Sequence, residues 1–280
     1  MQSDSDRGRV VGVPEASVSL STSSVYPEPT AAGFELATRL GYDGVEVMVG
    51  IDATSQDLDA VRDLREFHGI PVVSVHAPCL LITQRVWGLE PWGKLVKSAE
   101  MAHELDADVV VVHPPFRWQR EYGRAFVEGI ADLEEETGMT FAVENMYPWR
   151  TARREFQAYV PGWNPVEFGY EHVTLDVSHT ATAGADPVEM AEQLGDRLAH
   201  VHMTDGLGSA KDEHLVPGRG TQPCAELLEL LAERNFGGHV VVEINTRRCN
   251  DREERETDLA EALAFTRLNL VAPARGGEAR

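Results

Sequence analysis

With 280 residues and 42% hydrophobic side chains the chain can bury a large core, while a formal charge of −21 sets a field that repels polyanions. Tight binding to a long phosphate backbone would need a local basic track, and no apolar run reaches the roughly 20 residues of a membrane span. The opening "MQSDSDRGRV" lacks the long apolar stretch of a secretory signal, and Cys79, Cys224 and Cys249 form no CxxC pair, which predicts a reduced, cytoplasmic protein without a disulfide framework.

Residues 1–9 and 271–280 are polar and predict frayed tails around a single domain over 10–270. Within that span, short β-branched runs recur: "VVGV" at 10–13, then "GVEVMV", "PVVSVHA", "DVVVVHP", "TFAVEN", "HVTLDVSH", "LAHVHMTD" and "HVVVEIN". Continuous Val/Ile runs suit strands buried on both faces, as in a parallel sheet. Amphipathic stretches separate them. "TAAGFELATRL" stops at Gly41, and "SQDLDAVRDLREFH" opens on a Ser55 cap and stops at Gly69. Eight strand–helix alternations at about thirty-residue spacing predict an α/β fold, a (β/α)8 TIM barrel. No GxGxxG follows the first run, as a doubly wound dinucleotide fold would require.

What terminates the runs is more telling. His76 ends the third, His113 the fourth, Glu144 the fifth, Asp176 the sixth, His202 the seventh and Glu243 the eighth, while Glu46 lies on the second. In such a barrel these ends converge on one face, where active sites form. Carboxylates buried together are costly unless a cation neutralises them. A second layer is expected in the loops: His179, Asp205, and the pair Asp212 and His214. Carboxylates with imidazoles suit Zn²⁺, Mn²⁺ or a similar ion better than Ca²⁺.

Other histidines are read as structural. His68 and His103 belong to helical patterns, His172 and His239 begin strands at the opposite face, and His200 points inward one layer below His202 without being a ligand. The "PGRG" after His214 lacks the Lys-Ser/Thr and helix of a P-loop, so it is expected to shape the turn that carries His214. Cations at Arg85, Arg117, Arg120, Arg150, Arg153, Arg154, Lys211, Arg219, Arg247 and Arg248 form either solvated loop charge or a cationic mouth for a small anionic or hydroxyl-rich substrate. Trp87, Trp92, Trp118, Trp149 and Trp163 follow strands three to five, suited either to stack on a sugar ring or to pack a lid.

From about Val10 to Leu270 the sequence resembles the xylose-isomerase-like barrel superfamily of sugar-phosphate isomerases and epimerases, hydroxypyruvate isomerases and endonuclease IV. "GYDGVEV", "TLDVSHTATAGADP" and "HVHMTD" with "EHLVPGRG" carry the resemblance. It implies one divalent ion (Zn, Mn, Mg or Co) on Glu144, Asp176, His202 and Glu243, with Glu144 and Glu243 doubling as an acid–base pair. The implied activity is isomerisation or epimerisation of a sugar, sugar phosphate or keto-acid through a metal-stabilised enediolate. His76, His113, His179, Asp212 and His214 then serve as further ligands or substrate contacts, and Arg219, Trp118 and Arg150 as substrate contacts. The same residues fill an endonuclease IV-like set of three zinc ions, so a multinuclear phosphodiesterase is the alternative, with a dehydratase or lyase on the same site another. The charge of −21 and an opening segment, "VGVPEASVSLSTSSVYPEP", unlike the endonuclease's glycine-rich loop speak against nucleic acid. The expected partner is a small sugar-like molecule, with self-association left open.

Overall fold

Eight parallel strands close into a barrel: β1 (Ser17–Ser21), β2 (Val45–Met48), β3 (Val72–His76), β4 (Val109–Val112), β5 (Thr140–Glu144), β8 (Val173–Asp176), β9 (Leu198–Met203) and β10 (His239–Val242). β1 pairs with both β2 and β10, which completes the ring. β6 (Trp149–Arg150) and β7 (Glu155–Phe156) form a small antiparallel hairpin after β5. The structure, a computed structural model, describes residues 16–150 and 154–271. The apolar run at 10–13, expected as the first strand, lies outside them, as do residues 1–9 and 272–280 of the expected tails. The strand that pairs is "SVSLS".

The helices are α1 (Thr30–Leu40), α2 (Ala53–Gln56), α3 (Leu58–His68), α4 (Pro91–Glu104), α5 (Arg120–Thr137), α6 (Val177–Ala183), α7 (Pro187–Leu194), α8 (Cys224–Glu233) and α9 (Arg252–Asn269). Gly41 and Gly69 stop α1 and α3 in left-handed conformations, at φ 87° and 63°, where glycine carries no Cβ penalty. The expected Ser55 cap is corrected: Ser55 lies inside α2, and Asp57 caps α3 by accepting the Asp59 and Ala60 N–H groups at 3.0 and 3.2 Å. The regular alternation also fails once. Among the described residues no α-helix connects β5 to β8; the hairpin and a 3-10 turn at Pro165–Glu167 do so. Pro148, Pro161 and Pro165 lack the N–H that a helix interior needs.

Strand residues of one parity, such as Leu20, Val47, Val110, Val143, Leu175, Val201 and Val242, join a single core with Phe34, Phe126 and Leu227 of the helices. The alternate parity faces the barrel interior. There Val109, Val111 and Ala142 form a small apolar cluster of their own, and Ser74, His76, Glu144, Thr174, Asp176, His200 and His202 are buried. The interior is therefore polar at its C-terminal end, so its groups must be bonded or neutralised. Trp92 belongs to the core rather than the mouth: it packs so closely on α5 that a Cβ at Gly129 would sit 2.3 Å from its ring. Trp87 donates its indole N–H to the Gln56 carbonyl at 3.1 Å. No helix among the described residues is long and apolar enough to cross a membrane.

Candidate metal centre

The β5 end delivers Glu144 into a ring of imidazoles. Its Oε2 lies 2.8 Å from His113 Nε2 and 3.3 Å from His76 Nε2, and its Oε1 lies 3.1 Å from His179 Nδ1 and 3.4 Å from His202 Nδ1. Asp176, closing β8, has two tasks. Oδ1 caps α6 by accepting the His179 N–H at 2.7 Å, while Oδ2 faces His202 Nδ1 at 3.7 Å. Asn145 braces this aspartate, accepting its N–H at 2.6 Å and donating to its carbonyl at 3.0 Å. His202 Nδ1 also lies 3.0 Å from Oε2 of Glu243, whose Oε1 accepts the Ser23 hydroxyl at 2.9 Å.

One ligand atom from each of Glu144, Asp176, His202 and Glu243 thus lies within 4.8 Å of every other. Asp176 Oδ2 is buried with no hydrogen-bond partner among the described residues, while Glu144 Oε2 and His202 Nδ1, equally buried, meet the ionisable groups named above at 2.8 and 3.0 Å. A buried carboxylate oxygen without a partner, converging with two more carboxylates and an imidazole, is what a coordinated cation satisfies, so the donor set fits a divalent ion with mixed carboxylate and imidazole preference. The electrostatics agree. Burial raises the Glu243 carboxyl, yet His202 and His214 outweigh it and bring the group down to about 2. Burial lifts Asp176 to about 6. Burial opposes charge on His202, but Glu46, Glu243 and Glu144 outweigh it and hold the ring well above the usual histidine range. The cluster demands positive charge at its centre.

The remaining expected residues gather beside it. Asp212 bridges two histidines, with Oδ2 at 3.1 Å from His179 Nε2 and 3.0 Å from His214 Nε2, and its Oδ1 accepts the Ser178 hydroxyl at 2.7 Å. His179 sits on α6, not in a loop as expected. His214 adopts φ 46°, unfavourable for a side-chain-bearing residue, and is held there by its N–H on Ser178 Oγ and by Nδ1 on the Glu243 carbonyl, at 3.0 and 2.9 Å.

Asp205 takes a different part from the one expected. Its buried carboxylate accepts four backbone N–H groups: Gly206 and Gln222 on Oδ1 at 2.8 and 3.0 Å, Gly218 and Gly220 on Oδ2 at 2.9 and 2.8 Å. It organises the loop instead of joining the ligands. A Cβ at Gly220 would come 2.2 Å from Asp205 Oδ1, which explains the glycine there. Asp205→Asn, turning an amide toward two N–H donors, should cost about 3 kcal/mol in chemical denaturation.

The expected substrate contacts divide. Trp118 stacks on Phe116 at 4.6 Å and, with His113, Leu80 and Tyr122, lines a cavity of about 200 Å³. Arg150 is engaged by Glu155 and the Ala183 carbonyl, both at 3.0 Å. Arg219 reaches Glu261 and Asp258 on α9, at 2.9 and 2.8 Å, and is not among the converging groups. Arg153 lies outside the described residues. Sequence reasoning missed Ser23 and Asn145, whose hydroxyl and amide carry no periodic signal, and it noted Glu46 without joining it to the site.

An uncharacterised protein of Mycobacterium tuberculosis is 50% identical over 277 residues, covering 92% of this chain and 99% of its own. Fructoselysine 3-epimerase of Escherichia coli O157:H7 is 23% identical over 252 residues, covering 80% of this chain and 88% of its own. Among solved structures, a D-tagatose 3-epimerase-like protein superposes with a TM-score of 0.64 at 24% identity, covering 91% of this chain and 99% of its own. These relatives and structural neighbours with named activities are sugar epimerases or resemble them. The xylose isomerase-like TIM barrel pattern matches residues 34–268, and the chain belongs to that family.

Proposed function

We propose that this protein is a divalent-metal-dependent epimerase or isomerase of a small ketose or ketose-like molecule, working by proton transfer. The observation that carries it is the buried quartet of Glu144, Asp176, His202 and Glu243, whose ligand atoms converge around the unpartnered Asp176 Oδ2. A divalent ion held there supplies Lewis acidity, which lowers the pKa of a C–H beside a substrate carbonyl. Glu243 is the group that takes the proton; Ser23 fixes its outer oxygen, leaving Oε2 inward. Glu144, on another strand of the ring, returns a proton from its own side. The cavity beside His113 receives the part of the substrate that does not react, against the face of Trp118. The names of the epimerase relatives support the reaction class.

The test is solvent exchange. The protein with Mn²⁺ or Co²⁺ and a panel of ketoses in D₂O should incorporate deuterium next to the carbonyl and yield the epimer or isomer. No exchange with any ketose, with the ion bound, would overturn the reading. Loss of water in the product would shift it to a lyase.

One observation favours a second reading. Asp212 between His179 and His214, and the grouping of His76, His113 and Glu144, form two further ligand-like clusters beside the quartet. A multinuclear hydrolase would bind about three zinc ions per chain and cleave an abasic duplex. One ion per chain and intact abasic DNA eliminate it.

A further inference from the structure

Glu46 lies beneath the quartet on β2, fully buried in the barrel interior, where a carboxylate is costly unless bonded. Three donors surround it. Ser74 Oγ lies 2.8 Å and His200 Nε2 3.0 Å from its Oε2, and His202 Nε2 lies 3.1 Å from Oε1 and 3.3 Å from Oε2. The His202 ring therefore spans two layers. Its Nε2 edge rests on Glu46, and its Nδ1 edge faces Glu243 at 3.0 Å, Glu144 at 3.4 Å and Asp176 at 3.7 Å. The ring stacks on His76 with centroids 5.8 Å apart, so it has little freedom to turn over.

An imidazole that gives one nitrogen to a cation keeps a single N–H on the other, and the partner of that N–H decides which nitrogen faces the cation. We infer that Glu46 is a positioning residue for the centre: it holds the proton on His202 Nε2 and so directs the Nδ1 lone pair at the three carboxylates. The negative charge behind the ring also makes Nδ1 a stronger donor to a cation. His200 and Ser74 keep the carboxylate from rotating away. His200 shares the same acceptor but turns its own Nδ1 into a buried space with no partner, so it serves Glu46 and not the ion. This inference rests on the metal reading above.

Its test is metal affinity, not turnover. Full-length wild type and Glu46→Gln are stripped with a chelator and titrated calorimetrically with Mn²⁺ and with Zn²⁺, with the thermal midpoint of each stripped protein measured alongside. Glu46→Gln preserves shape and should fold, yet bind either ion about 10–100-fold more weakly. Affinity within threefold of wild type overturns the inference. A wild type that binds neither ion overturns the metal reading itself, and this inference with it. Should Glu46→Gln not fold, ¹⁵N-histidine spectra of the Zn²⁺-loaded wild type decide. A low-field, exchange-protected Nε2–H signal for His202 supports the role, and its absence overturns it.

Discussion

Glu243→Gln should lower kcat by at least about 10²–10⁴-fold while the barrel stays folded. The amide keeps the shape of the carboxylate and still offers an oxygen to the Ser23 hydroxyl, bonded at 2.9 Å in the native chain. What it loses is the capacity to accept a proton and the charge that faces His202 at 3.0 Å. Glu243 is also held at low pKa by its histidine neighbours, so the carboxylate is the native form across the neutral range. The checks are deuterium incorporation, circular dichroism and metal content measured together. Retained turnover in a variant that still binds its ion would sink the assignment of Glu243 as the proton carrier.

Removal of the ion is expected to have the second large effect. Chelation should abolish turnover, and Mn²⁺ or Co²⁺ should restore it. It should also expose a stability difference, because a ligand at a hundred times its Kd adds about 2.7 kcal/mol to the folded state. For a chain of this size that corresponds to a fall in thermal midpoint of about 5–10 °C on stripping. The physical source is the trio Glu144, Asp176 and Glu243, which share a buried space where only imidazoles balance them. A stripped protein with full turnover and an unchanged midpoint would refute the metal dependence.

The barrel and its ring of candidate ligands were legible because two independent patterns coincide. Val/Ile runs announce buried strands, and each run closes on a residue that is costly to bury. His76, Glu144 and Asp176 end their strands, His113 and Glu243 stand one residue beyond theirs, and His202 lies one short of its end. Where the interior is polar, the same logic weakens. β1 alternates serine with Val18 and Leu20, so its β-branched signal is diluted and the run at 10–13 looked stronger. Asp205 resembled a ligand because composition cannot distinguish an aspartate that faces a cation from one that collects four backbone N–H groups. Glu46 stood on the second strand in plain view, but only the closed ring brings it under His202, on a strand more than 150 residues later in the chain. Ser23 and Asn145 became meaningful only through geometry.

The passage from β5 to β8 has a practical consequence. Its two ends are clamped by the barrel itself, where Glu144 pairs with Thr174, and by Asn145 gripping Asp176. Between Tyr147 and Tyr170 the described chain contributes no ligand to the quartet and no strand to the ring. Changes of length or chemistry in that stretch are therefore expected to leave the quartet in place, so long as they keep its ties to the loop before Trp118: Val160 N–H to the Pro115 carbonyl and Arg117 N–H to the Ala158 carbonyl, both at 2.8 Å.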